Sequence, residues 1–269
     1  MLMTCLVHAT LSHAESVPRD LSDGEEAAVL GASAGLLVLG HLAKVTAKDS
    51  DIPYGYRPNV FDRWMRGLFL IEQGSRSNFL DNRRGSAVSP LATVLALSLL
   101  DINRREFSRD IPFFLAGVAA TKGITDLSKS LVGRPRPCCT NGICPNSEGT
   151  HDDPYHSHSF FSGHASSAFY SATFFNNRFR RHMRLNWTES EYRTGRVLSP
   201  LLVYGWATFV GMSRIHADRH FFTDVLAGAI VGTLMGELYY HLSYESNGPG
   251  PNGARPAVNA PLIILSFSI

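Results

Sequence analysis

Three separated stretches of this chain carry side chains whose types and spacing suit metal-free phosphoryl transfer through a phosphohistidine. The first runs from Lys129 to Arg136-Pro137, with six residues between the two cations. The second is Ser162-Gly163-His164, and the third is Ser213-Arg214, followed after five residues by His220 and after three more by Asp224. Together they supply three cations, two imidazoles and one carboxylate. Cationic donors aimed at the equatorial oxygens of a transferring phosphoryl group stabilise its spread charge and can replace a metal ion. Arginine contributes a planar fork to such a site and lysine a point charge.

The spacing within each stretch says how its groups would work. His220 and Asp224 are four residues apart, so on a helix they share a face, and the carboxylate can accept a hydrogen bond from one ring nitrogen. The other nitrogen then keeps its lone pair, as a nucleophile needs. Thr223 is a candidate cap for the helix that continues from Asp224. Ser162 or Gly163 is expected near the N-cap of another helix, whose unpaired N–H groups and positive dipole end favour a bound anion. His164, about a turn in, is placed to protonate a leaving oxygen. After Lys129, Pro135 and Pro137 forbid helix continuation and force an extended exit carrying Arg134 and Arg136.

The elements that must position these groups are helical. Apolar, helix-compatible stretches recur at 27–43, 87–100, 111–125, 165–177, 197–212 and 225–240, which predicts an all-α bundle of about six helices. The 49–84 segment reads as a partly helical surface insertion around Phe61–Ile71. The connection from Cys138 to Phe161 lies between two motifs and should border the pocket. With 269 residues, 44% hydrophobic and 18% charged, one ample domain over 15–246 accounts for the chain, with a linker and a short β-prone tail over 247–269.

Read jointly, the motifs resemble those of the type 2 phosphatidic acid phosphatase superfamily, which includes bacterial acid phosphatases and vanadium haloperoxidases. The family pattern is Lys, six residues, Arg-Pro; then Pro-Ser-Gly-His; then Ser-Arg, five residues, His, three residues, Asp. The first and third are complete here, and the second has Phe161 where the family has Pro. The resemblance covers roughly Lys129 to Gly236. It implies an acid-phosphatase/haloperoxidase-like fold with His220 as nucleophile, Asp224 as its orienting partner, and His164 as general acid and later base. It also implies that Lys129, Arg136, Ser162, Gly163 and Arg214 hold the phosphate oxygens, without cofactor or metal. Arg134 lies off the pattern and is read as a neighbour of the site. The expected substrate is a phosphate monoester, foremost a lipid phosphate such as phosphatidic acid or a prenyl pyrophosphate. A soluble broad-specificity acid phosphatase and a vanadium-dependent haloperoxidase are the alternatives.

Location is harder to read. The apolar stretch 1–14, ending Ser12-His13-Ala14, is expected to be a secretory signal. Cys138, Cys139 and Cys144 fit export, with a bridge from Cys144 to one of the adjacent pair; zinc held by these with His151, His156 or His158 matches no usual ligand spacing. The longest uncharged stretches, 27–43 and 197–213, stop just short of the roughly 20 residues that span a bilayer, and the mean hydropathy is −0.03. Against that, Gly228, Gly232 and Gly236 recur at the four-residue spacing that permits close helix packing in lipid. The expectation is an exported, membrane-associated protein facing the periplasm, with a wholly soluble form as the rival. A net charge of +2 gives no argument for nucleic acid as a partner.

Overall fold

The computed structural model describes residues 15–47, 57–69, 85–100, 107–138 and 157–247. The proposed signal, the 139–156 connection with Cys139, Cys144, His151 and His156, and the tail beyond 247 lie outside the described residues. The described residues contain seven helices: α1 (Asp23–Thr46), α2 (Val60–Phe69), α3 (Gly85–Leu100), α4 (Phe107–Val132), α5 (Gly163–Asn186), α6 (Glu189–His216) and α7 (Phe222–Ser243). The fold is all-α, apart from a two-stranded antiparallel ribbon of β1 (Glu15–Pro18) and β2 (Tyr244–Asn247), with Ser16 opposite Ser246.

The six apolar stretches are the cores of α1 and α3–α7, and at α1, α5 and α6 polar caps at Ser22, Ser162 and Thr188 start the helix ahead of its apolar stretch. Ser22 and Glu25 form a reciprocal capping box at the start of α1, as do Thr188 and Glu191 at α6. These caps bring charged first turns into the helices, so α1 reaches 24 residues where its apolar run alone is shorter. Among the described residues two helices, α1 and α7, are long and apolar enough to cross a membrane.

α5 is the central helix, packing on α3, α4, α6 and α7. Its contact with α7 is backbone-close. A Cβ on Gly228 would lie 2.6 Å from the Ser162 carbonyl oxygen, one on Gly236 2.6 Å from Thr173 Cβ, and one on Gly232 would collide with the Ser166 carbonyl. Gly40 and Gly123 permit the same approach between α1 and α4.

Opposite the glycine face, Leu226, Ile230, Leu234 and Leu238 of α7 are exposed, two of them at 48% and 49%. Leu91, Leu95 and Leu99 of α3 form a similar outer stripe. Thr121, Thr125, Ser166, Ser171, Thr173 and Asn176 are meanwhile buried at helix contacts. An apolar exterior around polar helix contacts is the reverse of what water selects.

Candidate active site

The helix directions bring all three motifs to one end of the bundle. Lys129 is in the last turn of α4, Ser162 and Gly163 start α5, Ser213 and Arg214 end α6, and Asp224 is in the first turn of α7. Gly133, at φ 58°, turns the chain out of α4 into the 134–138 segment. That segment is pinned on both sides: Ser159 N–H donates to the Arg134 carbonyl at 2.9 Å, and Cys138 N–H donates to the Asp218 carbonyl at 3.1 Å.

Ser162 is the N-cap of α5, its hydroxyl accepting from Ala165 N–H at 3.4 Å, and its own N–H donates to the Asp224 carbonyl at 3.0 Å. The N-terminal ends of α5 and α7 are thereby stitched together. His164 follows in the first turn of α5, half-buried. A Cβ on Gly163 would sit 3.8 Å from Lys129 Nζ, so the lysine reaches the start of α5.

The expected shared helical face for His220 and Asp224 does not form. α7 starts at Phe222, so His220 precedes the helix, and Thr223 lies inside it and caps nothing. Asp224 itself turns back to accept from Phe221 N–H at 2.9 Å, which satisfies the helix start in place of a capping hydroxyl. His220 is held from behind, its N–H donating to the Arg214 carbonyl at 3.3 Å.

The ring is oriented by a group that the sequence reading did not single out. His220 Nδ1 lies 2.8 Å from the Ser159 carbonyl, whereas Asp224 Oδ2 is 3.8 Å away. A carbonyl only accepts, so Nδ1 carries the proton and Nε2 keeps the lone pair. The same Ser159 donates its hydroxyl to Asp224 Oδ2 at 2.6 Å. Ser159 thus connects imidazole and carboxylate through its own backbone and side chain. Its position three residues before Ser162 was the one sequence signal available for it.

Electrostatics at this end favour a neutral ring beside gathered cations. Burial, reinforced by the positive charges of Lys129 and Arg136, pushes His220 down to about 3, although Asp224 works in the opposite direction. Burial, Arg136 and Lys44 push Lys129 down to about 7. Both groups lie at the ends of helices or between them, outside α1 and α7.

Arg134 proves to be a member of the cluster. Its Nη1 donates to Asp224 Oδ1 at 2.5 Å and to Thr223 Oγ1 at 2.8 Å, and its Nη2 to Asp62 Oδ2 at 2.7 Å. Its guanidinium carbon lies 4.3 Å from the Phe221 ring centroid. Asp62 comes from α2, in the segment read from sequence as a surface insertion. Arg66, one turn on, grips Asp218 through both carboxylate oxygens, at 2.7 and 2.6 Å. Asp218 holds the left-handed conformation, φ 56°, in the turn between α6 and α7.

Residues 112–247, which contain all three motifs, match the family model of the PAP2 superfamily. The chain is 35% identical over 190 residues to lipid A 1-phosphatase of Porphyromonas gingivalis, covering 69% of this chain and 35% of that protein. It is 30% identical over 141 residues to phospholipid phosphatase 1 of Rattus norvegicus, covering 45% of this chain and 48% of that protein. The chain therefore spans about half the length of the rodent relative and about a third of the bacterial one. A solved structure of a transmembrane PAP2 type phosphatidylglycerolphosphate phosphatase from Bacillus subtilis aligns with 19% identity and a TM-score of 0.45, over 80% of this chain and 88% of that one.

Proposed function

The chain belongs to the PAP2 superfamily, and from that premise we propose that it is a membrane-embedded, metal-independent phosphatase acting on lipid phosphate monoesters through a phosphohistidine. The observation that carries the reading is the His220 ring: neutral, buried, and held at Nδ1 so that Nε2 is the nitrogen left to react. In the first step Nε2 forms a bond to phosphorus as the bond from phosphorus to the ester oxygen breaks, and His164 gives that oxygen its proton. In the second, His164 takes a proton from a water whose oxygen displaces Nε2, and inorganic phosphate leaves. Lys129, Arg136 and Arg214, with the N–H groups starting α5 at Ser162 and Gly163, would carry the phosphoryl oxygens through both steps.

A lipid substrate is supported by the leucine-lined exterior and by the relatives named as phospholipid and lipid A phosphatases. An acyl or prenyl chain could then approach within the bilayer while its phosphate enters the polar end. The three cysteines that follow Pro137 support an oxidising, extracytoplasmic compartment on the site side.

The test is phosphate release by the full chain in detergent, from phosphatidic acid, a prenyl pyrophosphate and a soluble chromogenic ester, each with excess chelator. Chelator-resistant turnover that vanadate inhibits, and an acid-labile phosphoenzyme on quenching, are the expected results. Turnover lost to chelation and restored by Zn²⁺ or Mg²⁺ would overturn the metal-free mechanism. A preference for the soluble ester would overturn the lipid assignment.

A further inference from the structure

We infer that Asp62, on α2, is a positioning residue for this reaction: it fixes Arg134 in the one orientation in which the guanidinium holds the Asp224 carboxylate behind the His220 ring. The inference rests on the proposed role of His220 and adds to it a residue lying well before the first motif in sequence.

Asp62 is fully buried, and its surroundings are built around its charge. It exchanges two bonds with Asn59, accepting from the amide Nδ2 at 2.7 Å while its own N–H donates to Oδ1 at 2.7 Å. Oδ1 accepts from Thr223 N–H at 3.0 Å, and Oδ2 from Thr223 Oγ1 at 2.7 Å and Arg134 Nη2 at 2.7 Å. The single Thr223 hydroxyl proton goes to Asp62, so that oxygen is left to accept from Arg134 Nη1. Every direction in the chain Asp62–Arg134–Asp224 is therefore set.

Two consequences favour a role in the reaction over one in folding alone. Without Asp62 the guanidinium would be held only through Nη1, by Asp224 and Thr223, and by the Phe221 face, so Nη2 could turn toward an anion gathered by Arg136 and Lys129; the second carboxylate removes that freedom. In addition, two carboxylates sharing one guanidinium leave a net negative charge behind the imidazole. As Nε2 bonds to phosphorus, positive charge develops on the ring, and that negative charge stabilises the transition state more than the bound ester. α2 also clamps the neighbouring turn through Arg66 and Asp218, so one short helix braces both approaches to His220.

The experiment uses the full chain in detergent, as parent, Asp62→Asn, Arg134→Gln and the double variant. It reads kcat and KM on a short-chain phosphatidic acid, melting temperature, and calorimetric affinity for vanadate and for inorganic phosphate. Asp62→Asn is expected to lower kcat on the order of 10- to 100-fold with KM within about twofold, and to weaken vanadate far more than phosphate. The double variant should be little worse than Arg134→Gln alone, because the two act as one unit. Unchanged kcat, a loss confined to KM, equal weakening of vanadate and phosphate, or multiplicative losses in the double variant would each overturn the inference. If Asp62→Asn folds poorly, Asn59→Ala loosens the same carboxylate and should show the same vanadate-selective loss. A parent that binds vanadate but hydrolyses no ester would defeat the phosphatase reading alone, leaving the vanadate-to-phosphate ratio in Asp62→Asn to decide this one. A parent that binds neither anion would overturn both.

Discussion

Each end of the bundle pairs an arginine with a buried aspartate. At the end away from the motifs, Arg178 of α5 donates to Asp110 of α4 at 2.6 Å, and Tyr244, where β2 begins, donates its hydroxyl to the other oxygen of Asp110 at 2.6 Å. All three side chains are buried. At the motif end Arg134 is shared between Asp62 and Asp224, and the second of these also receives a serine hydroxyl and faces an imidazole. The far network sets a cation against an anion across three elements. The near one combines an excess of carboxylate behind the ring with the charges of Lys129 and Arg136 acting on it. Similar chemistry thus serves as a fastening in one place and as a charged frame around the proposed nucleophile in the other.

The comparison is broken most severely by removing the ring itself. His220→Ala should cut turnover by at least about 10⁴-fold and abolish acid-labile labelling, with little change in melting temperature. Residual labelling at parental level would remove His220 from the nucleophile's role. Asp110→Ala should do the opposite. Stranding Arg178 costs about 3–5 kcal/mol of stability, read by denaturation in detergent, while kcat per folded molecule stays at the parental value. A loss of kcat beyond the folded fraction would mean that the two ends are coupled.

This division was only partly legible in the sequence. The six apolar periodicities marked α1 and α3–α7, and the four-residue glycine spacing marked the face of α7 that meets α5, because both are local regularities that packing converts directly into contacts. The motif residues could be aligned for the same reason. Asp62 could not, since a lone aspartate in a charged segment looks like a solvated one until folding brings Thr223 and Arg134 to it. Ser159 was hidden for a different reason: its main contribution is a backbone carbonyl, which no residue type announces. The shared helical face assumed for His220 and Asp224 failed because Asp224 turned back to satisfy Phe221 N–H, and the helix began two residues too late to include the histidine.

A smaller effect follows from the kinds of cation at the two ends. The far end uses arginine, a side chain that keeps its charge across the working pH range. Lys129, pushed down to about 7, loses its charge as pH rises through that value, so kcat/KM should fall about tenfold per pH unit above it. Stability should move the other way. Between about 7 and the ordinary lysine value the unfolded chain binds the extra proton, so stability rises with pH across that window. Lys129→Arg should shift the alkaline limb upward by well over one pH unit. A limb that stays in place would assign it to another group.

The finest distinction compares two hydroxyls, each donated at 2.6 Å to a buried carboxylate that also holds an arginine: Ser159 to Asp224 and Tyr244 to Asp110. Ser159→Ala keeps the carbonyl that holds His220 Nδ1 and removes only the bond to Asp224. Asp224 retains Arg134 and the Phe221 N–H, so the carboxylate stays ionised but gains freedom to rotate. The expected outcome is a loss of roughly threefold to tenfold in kcat, since one hydrogen bond to a charged group is worth about 1.5–3 kcal/mol and only part of it is felt in the transition state. Tyr244→Phe removes a bond of the same length and kind from Asp110. Its cost should fall on stability, about 1.5–3 kcal/mol, with kcat unaltered. Measuring both variants for kcat and for unfolding free energy gives a two-by-two result. If the frame around His220 differs in kind from the fastening at the far end, the losses sit on one diagonal. Equal partition of rate and stability in the two variants would show that the site end is also no more than a fastening.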